Sequence, residues 1–286
     1  MPNVRHQSPR NTNGNIPLFY LGDNHTFRPL ARQLRANHEF QRLGMEPRII
    51  GKVKNPYSLR CIAEHFVQTI RERQPHGPYM LMGWCVHGLL ALETAQQLRE
   101  QGQSIALLVL LETINPENLR QQPRWIRGIA RWQARMNLLQ FEYMFRRSIR
   151  QQQPRESIST RSAGKFAGIQ GSLRSTLGRK SKKIDLTRTT PLEVLYAAAA
   201  NYLPQPYDGA VLLMRSRKGL FGFGDDAHLG WSKTLGRKLE ICETQGNHYS
   251  MYVEPNVKEL AQQVSARLRD AERRWRQKER EGRQIA

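Results

Sequence analysis

The chain reads as a mainly parallel α/β sheet flanked by helices, and three observations predict it. From residue 16 onward, strand-length apolar runs alternate with segments of helical period, the pattern of strands joined by crossover helices. One run, Ile105-Ala-Leu-Leu-Val-Leu-Leu111, is apolar throughout, as a strand covered on both faces must be. Residues 83–88, Gly-Trp-Cys-Val-His-Gly, stand between the apolar Tyr79–Met82 and a helical pattern over Leu89–Leu98. That strand–turn–helix layout lifts one side chain above a sheet edge.

The elements follow in order. Residues 1–15 are polar and rich in Asn, Gln and Arg and are expected to be a disordered tail. Ile16–Leu21 is a buried strand that ends at the turn signal Gly22-Asp23-Asn24. A helix is expected over Phe27–Ala36 and a weak strand at Pro47–Ile50. Leu59, Ile62, Ala63, Phe66, Val67 and Ile70 recur at helical spacing, with Ser58 as the cap. The helix after the turn stops near Gly102. Later come a helix over Leu192–Tyr202, a turn at Tyr207-Asp208-Gly209, and strands at Ala210–Met214 and Lys238–Glu243. The loop Gly246-Asn247-His248 leads into a closing helix from Val257 to about Arg280.

Residues 113–190 break the alternation. Trp125–Ile149 is amphipathic and aromatic, and Arg155–Lys183 is rich in Ser, Gly and Arg. The stretch is expected to be a helical, basic lid insertion within one domain spanning 16–286, with the Trp125–Tyr143 stripe as its core. Sixteen Lys or Arg lie between Arg120 and Lys183 against Glu142 and Glu156, and the chain's formal net charge is +21. Such a surface attracts acidic partners. None of the usual nucleic-acid modules is recognisable, so nucleic acid is not the expected partner. No run approaches the length of a membrane span, and no apolar stretch follows Arg5 and Arg10 to make a signal peptide. Three widely spaced cysteines suggest neither a disulfide framework nor a zinc site, and a reducing cytoplasm fits them.

Three groups fall at the carboxyl ends of predicted strands, where open α/β sheets place their sites. They are Cys85, Glu112 and His248, and the order nucleophile, acid, base is that of an α/β-hydrolase. In that reading the Cys85 thiolate attacks, His248 takes and returns the proton, and Glu112 orients the imidazole. The helix beginning at Val86 favours negative charge on the sulfur. The Val86 N–H, with one from the Gly22–Asn24 turn (Gly22 or Asp23), would form the oxyanion hole. Asp225 and Asp226 are the fallback acid. Cys61 and Cys242 read as small core residues, His87 as packing, and His25 and His228 as surface residues.

Six blocks carry a resemblance. They are Gly77-Pro-Tyr-Met-Leu-Met-Gly-Trp-Cys85, Ala91-Leu-Glu-Thr-Ala-Gln-Gln-Leu98 and Leu110-Leu-Glu-Thr-Ile-Asn-Pro116, followed by Tyr202-Leu-Pro-Gln-Pro-Tyr-Asp-Gly209, Leu229-Gly-Trp231 and Gly246-Asn-His-Tyr-Ser-Met251. From Pro17 to Leu268 the chain resembles the thioesterase family of nonribosomal peptide and polyketide synthases. The resemblance implies an α/β-hydrolase fold with no bound cofactor. Its substrate would be an acyl or peptidyl thioester on the phosphopantetheine arm of a carrier protein, and the basic insertion would dock that acidic carrier. Four positions depart from the family pattern. Cys85 replaces Ser, Glu112 replaces Asp, His87 stands where Gly is usual, and Leu21-Gly-Asp-Asn-His25 lacks the Gly-rich run that supplies an oxyanion donor. A cysteine exchanges one thioester for another near thermoneutrality, so the acyl group stays activated for transfer or cyclisation as well as hydrolysis. The alternative is a catalytically degenerate binding protein acting through its basic lid.

Overall fold

The computed structural model describes residues 15–22, 27–45, 58–121, 123, 190–219 and 226–285. The tail, the expected strand at Pro47–Ile50, His25, Asp23, Asp225 and nearly all of the expected lid lie outside the described residues.

Six strands form one sheet: β1 (Leu18–Leu21), β2 (Phe40–Leu43), β3 (Tyr79–Trp84), β4 (Ile105–Leu111), β5 (Val211–Ser216) and β6 (Leu239–Thr244). Their spatial order is β2-β1-β3-β4-β5-β6, and every neighbouring pair is parallel. The order reverses between β1 and β3, and such a switch point opens a crevice beyond the carboxyl ends of the strands.

Successive strand residues face opposite sides. Phe19, Leu21, Leu81, Leu108 and Leu110 pack against helices α2 (Leu59–Arg73), α3 (Val86–Glu100) and α5 (Pro191–Ala200). Leu18, Tyr20, Met80, Met82, Leu107 and Val109 pack against α1 (Arg28–Arg35) and α6 (Asn256–Ile285). The sheet is therefore the middle layer of three, which explains why β3 and β4 carry no alternation in their sequence. Burying each Leu, Ile or Val of this core contributes about 1.5–3 kcal/mol.

Local chemistry sets the element ends. Ser58 precedes α2 but makes no side-chain cap bond. Thr190 and Glu193 form a reciprocal capping box at the start of α5, closing two otherwise orphaned backbone donors. Gly102, at φ +72°, terminates the α3 segment as a left-handed glycine does.

Several expectations are corrected. β2 has no counterpart in the sequence reading, because Phe-Gln-Arg-Leu is a short, half-exposed edge strand without a periodic signal. Cys61 is exposed rather than core. The body of the fold runs past residue 113: Thr113 is fully buried, its carbonyl accepts the Trp231 indole N–H at 2.6 Å, and the Asn115 N–H bonds Leu229 O. A short helix, α4 (Pro116–Gln121), follows. Among the described residues no helix is long and apolar enough to cross a membrane.

Candidate active site

Cys85 lies between β3 and α3 at φ +55°, ψ −125°. A non-glycine residue in that region costs on the order of 1–3 kcal/mol and persists only where its surroundings enforce it. The enforcement is visible on both sides. The Cys85 N–H donates to Leu111 O at 2.9 Å, and its carbonyl accepts the Gly88 N–H at 3.0 Å. A Cβ on Gly83 would lie 2.2 Å from the His87 carbonyl oxygen, and one on Gly88 would lie 1.9 Å from Thr113 Oγ1. Close approach thus falls on Gly83 and Gly88, which leaves position 87 able to hold an imidazole. His87 is buried, and burial pushes its proton affinity down to about 4 against a weaker hydrogen bond to the Trp84 backbone.

Glu112 follows β4, also with positive φ, +47°. Its N–H donates to Met214 O at 2.8 Å, which locks the residue across β5. One carboxylate oxygen accepts the Ser216 N–H, and the other lies 3.2 Å from His248 Nδ1. The side chains are 7% and 17% exposed respectively, so the contact is screened little by solvent.

His248 sits on a loop built by its neighbours. Gly246 takes φ +95°. The Asn247 side-chain oxygen accepts the Tyr249 and Ser250 N–H groups at 3.0 and 2.9 Å, an Asx turn. The Trp84 ring packs on the imidazole with centroids 4.9 Å apart, and Tyr249 meets it edge-on at 5.0 Å.

Cys85 and His248 shift each other. Burial alone would push the thiol up. The His248 charge and hydrogen bond, then the Tyr196 hydroxyl and the Val86 N–H, outweigh it and hold the thiol below its usual range. Burial alone would likewise push the imidazole down, but Cys85 first and Glu112 second raise it. The arrangement favours a thiolate–imidazolium pair, with Cys85 only partly buried.

Not every named residue takes part. The Gly22 N–H donates to Leu43 O at 2.8 Å. It is the last rung of the β1–β2 ladder, so it is no free oxyanion donor. Asp226 accepts the His228 and Gly230 N–H groups at 2.9 and 2.7 Å. Its carboxylate closes the turn that seats the buried Trp231, while Glu112 takes His248. Tyr196 was not foreseen: its hydroxyl lies 3.8 Å from Cys85 Sγ, across 111 residues of chain. Ser216, which holds Glu112 through its backbone, carries no side-chain signal at all.

A parallel sheet with a strained strand–turn–helix elbow at its switch point defines an α/β-hydrolase-type protein. A thioesterase domain model matches residues 19–268, and the chain belongs to that family. The curated relatives it matches include the non-reducing polyketide synthase crz7 of Cladonia metacorallifera, 26% identical over 227 residues, covering 74% of this chain and 10% of that protein. Another is the non-reducing polyketide synthase pks27 of Aspergillus flavus, 40% identical over 76 residues, covering 25% of this chain and 4% of that one. The chain therefore spans about a tenth or less of these relatives' length.

Similar solved structures include a four-domain nonribosomal peptide synthetase bound to AMP and glycine, with TM-score 0.58 and 21% identity over 88% of this chain and 19% of that one. The NocB thioesterase domain in covalent complex with a fluorophosphonate nocardicin G analog gives TM-score 0.53 and 22% identity over 87% and 92%. The RedJ thioesterase of the prodiginine pathway in Streptomyces coelicolor gives 0.53 and 16% over 88% and 89%. At these identities the likeness speaks for the fold.

Proposed function

We propose that this chain takes an acyl or peptidyl group from the phosphopantetheine thioester of a carrier protein onto Cys85 and then releases or transfers it, in polyketide or nonribosomal peptide biosynthesis. The observation that carries the reading is the relay itself: a strained, partly exposed Cys85, an imidazole that lowers its proton affinity, and a buried carboxylate on that imidazole's far nitrogen.

The Cys85 sulfur attacks the thioester carbonyl, and the new S–C bond pushes the carbonyl π pair onto oxygen. The Val86 N–H, first in α3 and bonded to the Cys85 sulfur before attack, turns to that oxygen as the charge moves onto it. Collapse breaks the carrier's C–S bond, and the leaving thiolate takes the proton from His248. In the second half the neutral imidazole removes a proton from water, an internal hydroxyl or amine, or a second thiol. That nucleophile displaces Cys85, and Glu112 steadies the imidazolium in both halves. Because Cys85 holds its acyl group as a thioester, hydrolysis, cyclisation and transfer stay open. An acidic carrier suits the basic segment between Arg120 and Lys183.

The test is an intact-mass experiment. An acyl-loaded carrier is mixed with the chain, and both the adduct and the released product are weighed. An acyl adduct in the wild type that is absent from Cys85→Ala supports the proposal. No adduct and no turnover across several acyl carriers overturns it.

A further inference from the structure

We propose that Tyr196 is a catalytic hydrogen-bond donor to the Cys85 sulfur, holding it as a thiolate before attack; this deepens the nucleophile assignment above and rests on it. The phenol oxygen lies 3.8 Å from Sγ, within hydrogen-bond reach of a large, polarisable sulfur. The position is set by structure rather than chance. The Thr190–Glu193 capping box fixes where α5 begins, and Val194, Leu195, Ala198 and Ala199 bury its inner face. Tyr196 is thereby left directed at the elbow from the helical layer.

The direction of the bond follows from the proton affinities. Burial, then the neighbouring Cys85 and Tyr249, keep the phenol protonated far above its usual range. The thiol, by contrast, is the group held down. The hydroxyl therefore donates and the sulfur accepts. Among the described residues, the titratable and polar groups around Cys85 are Val86 on its own helix, His248 and Tyr249 on the loop after β6, Tyr252 on the turn beyond, Tyr196 on α5, and Glu112 behind the imidazole. Of these, only His248, Tyr196 and the Val86 N–H act directly on the sulfur as partners that lower its proton affinity.

Tyr196 thus joins the Val86 N–H at the start of α3 as an uncharged donor to the sulfur, beside the charged His248. Tyr196 keeps its proton throughout. When Sγ bonds the carbonyl carbon, negative charge passes from sulfur to the carbonyl oxygen, and the proton that later leaves with the carrier thiol is the one on His248.

The experiment is iodoacetamide alkylation of the full chain against pH, with Cys85 followed by peptide mass. Tyr196→Phe, which removes one oxygen and keeps the ring, raises the Cys85 midpoint by about one pH unit, the size expected for a hydrogen bond to a charged group. It also slows acylation by an acyl-phosphopantetheine thioester several-fold, with KM little changed. A fluorotyrosine at position 196, a stronger donor of the same shape, moves the midpoint down and serves where the Phe variant fails to fold. An unchanged midpoint in a folded variant overturns the proposal. A shifted midpoint in a protein that never forms an acyl adduct leaves the donor role standing and removes the thioester reading instead.

Discussion

Glu112 and His248 are 136 residues apart in the chain, yet a carboxylate oxygen of one lies 3.2 Å from Nδ1 of the other. The second oxygen of Glu112 is held by the Ser216 N–H. The carboxylate is thus gripped at both oxygens from a left-handed backbone at φ +47°. Replacing Glu112 by Gln keeps the shape but can present an amide N–H to Nδ1, which favours the wrong imidazole tautomer. Single-turnover acylation is expected to fall about 10²–10⁴-fold, as when a triad carboxylate is made an amide. A loss below about tenfold would mean that another group orients the ring.

The downward shift of the Cys85 thiol predicts selective alkylation. Cys85 is held below its usual thiol range by His248 and its other partners despite burial, whereas burial pushes the Cys242 thiol up. Only the thiolate reacts. At pH 7, Cys85 is expected to react with iodoacetamide at least about tenfold faster than Cys242. His248→Ala should abolish most of that advantage. Peptide mass after timed quenching measures both.

His87 gives a stability prediction with a definite sign. Burial lowers its folded proton affinity to about 4, against about 6.5 unfolded. A depressed value means the contribution is present above the unfolded value and lost as pH falls toward the folded one. Between pH 7 and pH 4.5 the wild type should lose up to about 3 kcal/mol more than His87→Leu. Urea midpoints of both proteins at the two pH values give the difference. Equal losses would place the imidazole in a wetter site.

The elbow glycines should rank by what they touch. A Cβ at Gly83 meets backbone, the His87 carbonyl, while one at Gly88 meets the Thr113 side chain. Backbone cannot rotate away, so Gly83→Ala should cost more than Gly88→Ala, each by at least about 1–3 kcal/mol. Thr113→Gly should restore part of the Gly88→Ala loss and none of the Gly83→Ala loss. Urea unfolding of the three single and two double variants measures these differences.

Much of the fold was legible because its signals are local. The apolar runs at β3, β4 and β5 and the helical period of α2 each arise from neighbours in sequence. β2 was not legible, since an edge strand with one buried residue leaves no pattern. Cys61 was misread because its place in the α2 period matched the apolar face, but that edge of the helix turns to solvent.

By itself the sequence determined the parallel α/β layout, the strand–turn–helix at residues 83–88 and the strand ends from which Cys85, Glu112 and His248 project. Those follow from periodicity and from glycine's lack of a side chain, both readable within a few residues. Only the tertiary structure decided that Glu112 rather than Asp226 faces His248, that the Gly22 N–H is used up in a strand ladder, and that Tyr196 reaches Cys85. These are pairings across 21 to 136 residues. Each depends on how separate elements pack, and no local spacing encodes a distance between two side chains that meet only after the sheet has formed.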